Sequence, residues 1–297
     1  MINASSAPID RISALLARFR VRAHLFHSGP LCGVTTYAAA PGRGFLHVLR
    51  RGEMVLTHRK GAGLLRRIEV REPTLLFYPR PMAHEFHNAP SEGSDFTCAA
   101  LDFDGGSSHP LARALPALVL LPLRQVEGLE QSLALLFAET DRARCGHRLL
   151  ADRLFEVVLL QLLRWLLDHP AESGIATGLL TGLADPALAR ALTAMHEGPG
   201  ERWTLEGMAA QAGMSRSAFA TRFKAVVGET PADYLSNWRI TIAQAQLRNG
   251  RSVKYVADEL GYANASALSR VFSQKVGLSP RGWLDSVKGS SHRLDKG

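Results

Sequence analysis

Between residues 25 and 103 the apolar side chains come in runs of four or five, such as Phe45-Leu46-His47-Val48-Leu49, Glu53-Met54-Val55-Leu56 and Thr74-Leu75-Leu76-Phe77-Tyr78. Glycines punctuate these runs at positions 29, 33, 42, 44, 52, 61, 63 and 93. Short strands with Gly-rich turns predict a sandwich or a small barrel. Around Asp104-Gly105-Gly106-Ser107-Ser108 the pattern changes, and from Leu129 to Ala143 and from His147 to His169 apolar residues recur every three or four positions, as on helices. Ahead of the strands, Ile9 to Phe19 reads as an amphipathic helix with Asp10, Arg11 and Arg18 on its polar side. Glycines from 174 to 182, and then Gly198-Pro199-Gly200, mark the approach to a last domain.

The helix from His147 to His169 is apolar over most of its circumference, through Leu150, Leu154, Phe155, Val157, Val158, Leu162, Trp165 and Leu166. One packing face needs less than that. Two readings follow: part of the helix meets a partner chain, or the helix is buried between two domains of its own chain.

The last third contains a repeat. Met208-Ala209-Ala210-Gln211-Ala212-Gly213-Met214 aligns with Val256-Ala257-Asp258-Glu259-Leu260-Gly261-Tyr262, and both copies set a small residue four before a glycine. A helix-turn-helix needs this spacing, because the helices approach closely and the turn wants a residue tolerant of positive φ. Beyond the turn the correspondence continues, with Phe219 and Leu268, Phe223 and Phe272, Gly228 and Gly277, Pro231 and Pro280, and Tyr234 and Trp283. Thr204, Ser215 and Ser252 stand where helix N-caps are required. Thr230-Pro231-Ala232-Asp233 opens a helix that runs to Asn249-Gly250. Two such units in register predict a sequence-specific DNA-binding protein.

Charge and composition agree with this. Of the net charge of +8, the segment Thr204 to Lys288 carries most, with eleven Lys and Arg against six Asp and Glu, as a phosphate-binding surface requires. The most apolar stretch, Leu149 to Leu167, is broken by Asp152, Arg153, Glu156, Gln161 and Arg164, which excludes a membrane span. Three cysteines do not make a disulfide framework, and the expected location is cytoplasmic.

At these residues the chain resembles the AraC/XylS family of transcription regulators. The second unit carries the resemblance in Val256-Ala257, Gly261-Tyr262, Leu268-Ser269-Arg270-Val271-Phe272 and Gly277-Leu278-Ser279-Pro280. The resemblance implies a monomeric DNA-binding module that inserts two recognition helices into successive major grooves of double-stranded DNA, with RNA polymerase as a partner if the output is activation, whereas a homodimer is the expectation from the apolar helices at 129–169. The joining helix, Pro231 to Arg248, is about 27 Å long, which suits grooves about 34 Å apart. With Phe219 and Phe223 turned inward, Arg216, Ser217, Ala220 and Thr221 face the groove. With Leu268 and Phe272 inward, Ala265, Ser266, Ser269 and Arg270 do. Arg270 is the candidate for a bidentate guanine contact. Its first-unit counterpart is Thr221, where the family often has arginine. Arg216, Arg222, Lys224 and Lys275 read equally as phosphate contacts or as solvated surface.

Pro79-Arg80-Pro81-Met82-Ala83-His84-Glu85-Phe86-His87-Asn88 resembles the second motif of cupins, with Pro81 in place of its glycine, and His47 stands where the first motif begins. Leu49 occupies the second histidine position of that motif and its glutamate is not recognisable, so the four-ligand enzymatic metal site is incomplete. A closed barrel would bring Cys32, His47, His84 and Cys98 together. Three readings stay open for this set: core packing, a Zn²⁺ site, or a redox switch. The expected architecture is α+β, with a cupin-like β-barrel sensor at 1–110, a helical linker and dimerisation region at 111–198, and an all-α domain of two helix-turn-helix units at 199–297. The alternative, a metal-dependent cupin oxygenase or isomerase fused to a DNA-targeting domain, is disfavoured by the missing ligands.

Overall fold

The computed structural model describes residues 9–60, 63–89, 93–142, 144–170, 172, 174 and 177–294. The turn glycine at 61 and the helix end placed at Ala143 lie outside them. The chain opens with α1 (Ser13–Arg18), then β1 (Val21–Leu31), β2 (Val34–Tyr37), β3 (Arg43–Arg51), β4 (Met54–His58), β5 (Arg67–Val70), β6 (Thr74–Tyr78), β7 (His84–His87) and β8 (Ser94–Phe103). Next come α2 (Pro110–Ala114), β9 (Val119–Pro122), α3 (Leu129–Thr140), α4 (His147–Asp168), α5 (Leu179–Ala184) and α6 (Pro186–Glu197). The remainder is α7 (Leu205–Ala212), α8 (Arg216–Val227), α9 (Pro231–Arg248), α10 (Val253–Glu259), α11 (Ala265–Val276) and α12 (Pro280–Leu294). These form two compact units, Phe19–Ala176 and a second that joins Met1–Arg18 to Thr177–Gly297. The N-terminal helix α1 therefore belongs with the C-terminal helices.

The β unit is not the closed barrel that the strand pattern predicts. Its strands form two sheets, in the orders β1-β8-β3-β6-β9 and β2-β7-β4-β5, and among the described residues no ladder joins one to the other. The physical reason lies in how the core is filled. Leu49, Leu76, Phe96 and Cys98 from the first sheet pack against Tyr37, Leu56, Val70 and Phe86 from the second. Two inner faces lined with bulky side chains hold the sheets apart as a sandwich. The exposed edge of β1 is closed by side chains instead of a further strand: Asp152 and Glu156 of α4 accept the N–H groups of Leu25 and Ala23, at 2.7 and 3.4 Å. Helix α4 also packs on α3 and β1, burying Phe155, Val158, Leu162 and Leu166, and the Trp165 indole donates to the Gln125 carbonyl at 2.9 Å.

His109 fixes the entry to α2. Its Nδ1 accepts the Leu111 N–H at 3.1 Å, so its Nε2 carries the proton and donates to the Phe19 carbonyl at 3.0 Å. Burial holds its pKa down at about 4, against a smaller upward pull from the Phe19 carbonyl. Burial likewise holds His84 at about 4 and His196 at about 3. Each folded-state pKa lies below that of the unfolded chain, so each ring's contribution is complete above about pH 6.5 and drains as pH falls. Below about pH 6.5 each such histidine costs up to about 1.4 kcal/mol per pH unit. Urea titrations of the full chain at pH 7.5, 6 and 5 should show stability falling steeply, with one proton's worth of slope removed in His109→Phe. Equal stability at pH 7.5 and pH 5 would refute this.

Candidate nucleic-acid interface

The helical unit is assembled on α6. Asp185 caps it by accepting the N–H groups of Ala187 and Leu188, both at 3.0 Å, and Pro186 follows as its first residue. The buried face of α6, Leu188, Leu192, Met195 and His196, packs toward α7. At its other end Arg18 of α1 donates to the carbonyls of His196 and Glu197, each at 3.2 Å, which satisfies acceptors that a helix terminus leaves open. Leu15 of α1 is fully buried in the same unit.

Helices α7 and α8 form the first helix-turn-helix, and α10 and α11 the second. Both turn glycines are in the left-handed region, Gly213 at φ +67° and Gly261 at +72°, where a side chain would be strained. At Gly261 a Cβ would also collide with the Gly200 backbone. The predicted caps are in place: Thr204 accepts the Gly207 N–H, Ser215 that of Ala218, Thr230 that of Asp233 and Ser252 that of Tyr255, at 3.0 to 3.4 Å. Helix α11 is capped by Asn264, which accepts the Ala267 N–H at 2.9 Å. Sequence reasoning passed over that cap, although asparagine just before an apolar-periodic run is its ordinary signal.

Phe219 and Phe223 of α8, and Leu268 and Phe272 of α11, are fully buried. Arg216, Ser217, Thr221 and Arg222 are exposed on α8, and Ala220 is partly so. On α11 Ser266, Arg270 and Lys275 are exposed, with Ala265 and Ser269 half-buried. The cations differ in what they touch. Arg222 is bound to Asp185, with Nη2 2.6 Å from the carboxylate. Arg216 pairs with Glu206, and Lys275 with Asp233 at 3.1 Å. Arg270 and Lys224 make no hydrogen bond or ion pair to a described residue. Burial works against the charge of Asp185, but the Leu188 N–H and the Arg222 guanidinium outweigh it and hold the carboxyl below its ordinary range.

The other set of predicted residues lies in the β unit and is only partly brought together. His47 and His84 meet, Nε2 to Nε2, at 3.1 Å. His84 Nδ1 donates to the Met82 carbonyl at 2.9 Å, so its Nε2 is an acceptor and His47 supplies the proton between them. His47 Nδ1 is then a buried acceptor with no partner among the described residues. Cys98 is the cross-strand neighbour of His47 and is fully buried, and burial pushes its thiol up. Cys32 is exposed and lies one residue past Leu31, which pairs with Ser94. The Ser94 position is four residues from Cys98 along β8, about 13 Å of strand, which is well beyond disulfide reach. Among the described residues no group of three or more His, Cys, Asp or Glu is placed to hold a metal ion.

No described helix is long and apolar enough to cross a membrane. Comparison with known proteins covers both units. Residues 10–168 match the Cupin family, and residues 208–286 match the family described as Helix-turn-helix domain. A putative AraC-like transcription regulator of Streptomyces antibioticus is 31% identical, covering 92% of this chain and 97% of its own. A second, from Streptomyces lividans, is 37% identical over 56% of this chain and 55% of its own. Among solved structures, the DNA-binding domain of AdpA in complex with a target DNA is 31% identical, covering 38% of this chain and 99% of that chain at a TM-score of 0.34. The chain belongs to the AraC-like family: it is a sequence-specific DNA-binding transcription regulator.

Proposed function

We propose that this regulator reads its operator chiefly through Arg270 of the second recognition helix, acts as a homodimer held by α4, and is gated by a small molecule bound in the β unit. One contrast carries the reading of the operator. The Arg270 side chain stands exposed on α11 with no partner among the described residues, whereas Arg216, Arg222 and Lys275 are each matched by a carboxylate of the chain itself. A free guanidinium at the groove-facing position is available for the O6 and N7 acceptors of guanine. Ser266 and Ser269 flank it on the same helix. On α8 the corresponding position is Thr221, so the first helix docks with less base discrimination.

Dimerisation is supported by the face of α4 that its own unit leaves uncovered. Leu149 is 63% and Leu160 41% exposed, with Leu150 and Val157 exposed between them. Spaced at 149, 157 and 160, these residues share one side of the helix. A second copy of the same stripe would cover them by a two-fold contact, and a dimer places two helical units on one promoter.

Arg270→Ala should cost about 1–3 kcal/mol on the selected operator and relax base preference in one half of the site. Lys275→Ala should weaken cognate and scrambled DNA alike and lower the salt slope. Identical behaviour of the two in salt titrations would remove the distinction between them. Leu149→Glu with Leu160→Glu should shift the chain to a monomer in sedimentation, with its circular dichroism preserved. A variant that still sediments as the parent does places the interface elsewhere. A fragment starting at Thr177 should fold and bind operator DNA, whereas one starting at Pro199 loses the buried face of α6 and should be unfolded by circular dichroism. A folded, DNA-binding fragment from Pro199 would show α6 to be dispensable.

A further inference from the structure

A cleft of about 780 Å³ opens in the β unit where the ends of β2 and β4 meet the start of β7. Its floor is His58 and His84, and its lips include Ala38, Ala39 and Ala83, small residues that leave the opening wide. The floor is already satisfied from within. His58 Nδ1 donates to the Leu65 carbonyl at 2.9 Å, and its Nε2 accepts the Tyr78 hydroxyl at 2.9 Å. Both nitrogens of His84 are used, on the Met82 carbonyl and on His47. On the wall, the Thr57 hydroxyl and His87 Nε2 bond to each other at 3.0 Å.

The unsatisfied capacity is cationic. Arg59, Lys60 and Arg66 line the rim, and the side chain of none of them makes a hydrogen bond or ion pair to a described residue. Neighbouring arginines behave otherwise: Arg67 and Arg71 share Glu69, and Arg124 pairs with Glu72. The single carboxylate in the lining is Glu85, which sits against Thr57 and His87. Three unpaired cations facing one carboxylate across a cleft with a closed floor focus a positive potential into it. A neutral sugar or alkane would leave these charges uncompensated, whereas a carboxylate or phosphate would meet guanidinium forks of matching geometry.

We infer that this cleft binds a small organic acid, held through its carboxylate or phosphate by Arg59, Lys60 and Arg66. The inference rests on the reading of the β unit as a small-molecule sensor and gives its ligand a chemical class. The β7 strand passes the event inward, since His84 lies in the floor and is stacked between the rings of Tyr78, at 4.1 Å, and Tyr37, at 4.9 Å. An acid in the cleft therefore lies over the aromatic stack that joins β2, β6 and β7.

The test is calorimetric titration of the full chain with benzoate, with inorganic phosphate, and with benzamide as the uncharged counterpart of benzoate. At least one anion should bind at millimolar concentration or below, and benzamide should not. Arg59→Gln with Arg66→Gln, both exposed and without partners, should weaken that binding at least about tenfold while leaving the urea midpoint unchanged. Benzoate and phosphate binding differ in which acid group is preferred, and either supports the site. Equal binding of benzamide and benzoate, unchanged affinity in the double variant, or no binding by either anion would overturn it. If an anion binds as expected but operator affinity is the same with and without it, the cleft stands as an acid site and the gating reading fails.

Discussion

Both recognition helices depend on one element, the joining helix α9, and on its being packed from end to end. Its first half is shared with the first helix-turn-helix: Tyr234 meets the ring of Phe223 edge-on at 5.6 Å, and its hydroxyl hydrogen-bonds His196 of α6 at 2.5 Å. The Trp238 ring packs tilted against the same histidine, 4.2 Å between centroids. Its second half belongs to the other helix-turn-helix, with Ile242 and Leu247 buried and Arg248 lying 4.8 Å over the Trp283 ring. Between the halves Arg239 donates to the carbonyls of Pro199 and Glu201, at 2.6 and 2.8 Å, and ties the entering segment to the middle of the rod. A helix of 18 residues packed on both halves cannot bend without losing side-chain contacts, so the spacing of α8 and α11 is set before DNA arrives. What the DNA must adapt to is that spacing.

The β unit obeys a different constraint, the need to keep polar groups neutral inside an aromatic core. His47, His58 and His84 are all buried among Tyr37, Phe45, Tyr78 and Phe86. A charged imidazole there would cost far more than a neutral one, which is why burial, together with the neighbouring histidine His84, pushes His47 well below its ordinary range. The hydrogen bonds follow from neutrality. Two protons, one on His84 Nδ1 toward the Met82 carbonyl and one on His47 Nε2 toward His84, satisfy this chain and leave His47 Nδ1 with no partner among the described residues. An unpartnered buried acceptor is a cost carried by the fold, and it marks this pair as a place where a change of proton would rearrange more than one ring.

Much of the helical unit was legible because its determinants are local. Caps, turn glycines and the inward phenylalanines act within one helix or one turn, so Ser215, Gly213 and Phe219 announce themselves in sequence. The start of the unit was not legible, because α6 joins it through a pair remote in sequence, Asp185 with Arg222, and through Arg18 from the chain's beginning. The Asp185-Pro186 cap went unread in the sequence, and a cap says only that a helix starts and not what it packs on. The strands were legible one by one, yet their closure was not. Short apolar runs carry no record of which strand they pair with, and the decision between barrel and sandwich was made by the volume of Tyr37, Phe86 and Phe96 between the sheets and by α4 covering the edge of β1. For the same reason Cys32 and Cys98, expected together inside a barrel, end apart, Cys32 just past the end of β1 and Cys98 in the middle of β8.

The ion pairs of the recognition helices also separate by burial, and this decides which cations DNA can recruit. Glu206 and Asp233, the partners of Arg216 and Lys275, are 61% and 57% exposed, so water competes for both and salt screens them. A phosphate arriving at α8 or α11 can take those cations with little loss. Asp185 is only 9% exposed and spends its other oxygen on capping α6. Removing Arg222 from it would leave a half-buried carboxylate without its counter-charge at the foot of the helix on which the unit is assembled. Arg222 is thereby committed to joining α8 to α6, so on the proposed reading of the interface the phosphate contacts of α8 fall to Arg216 and Lys224.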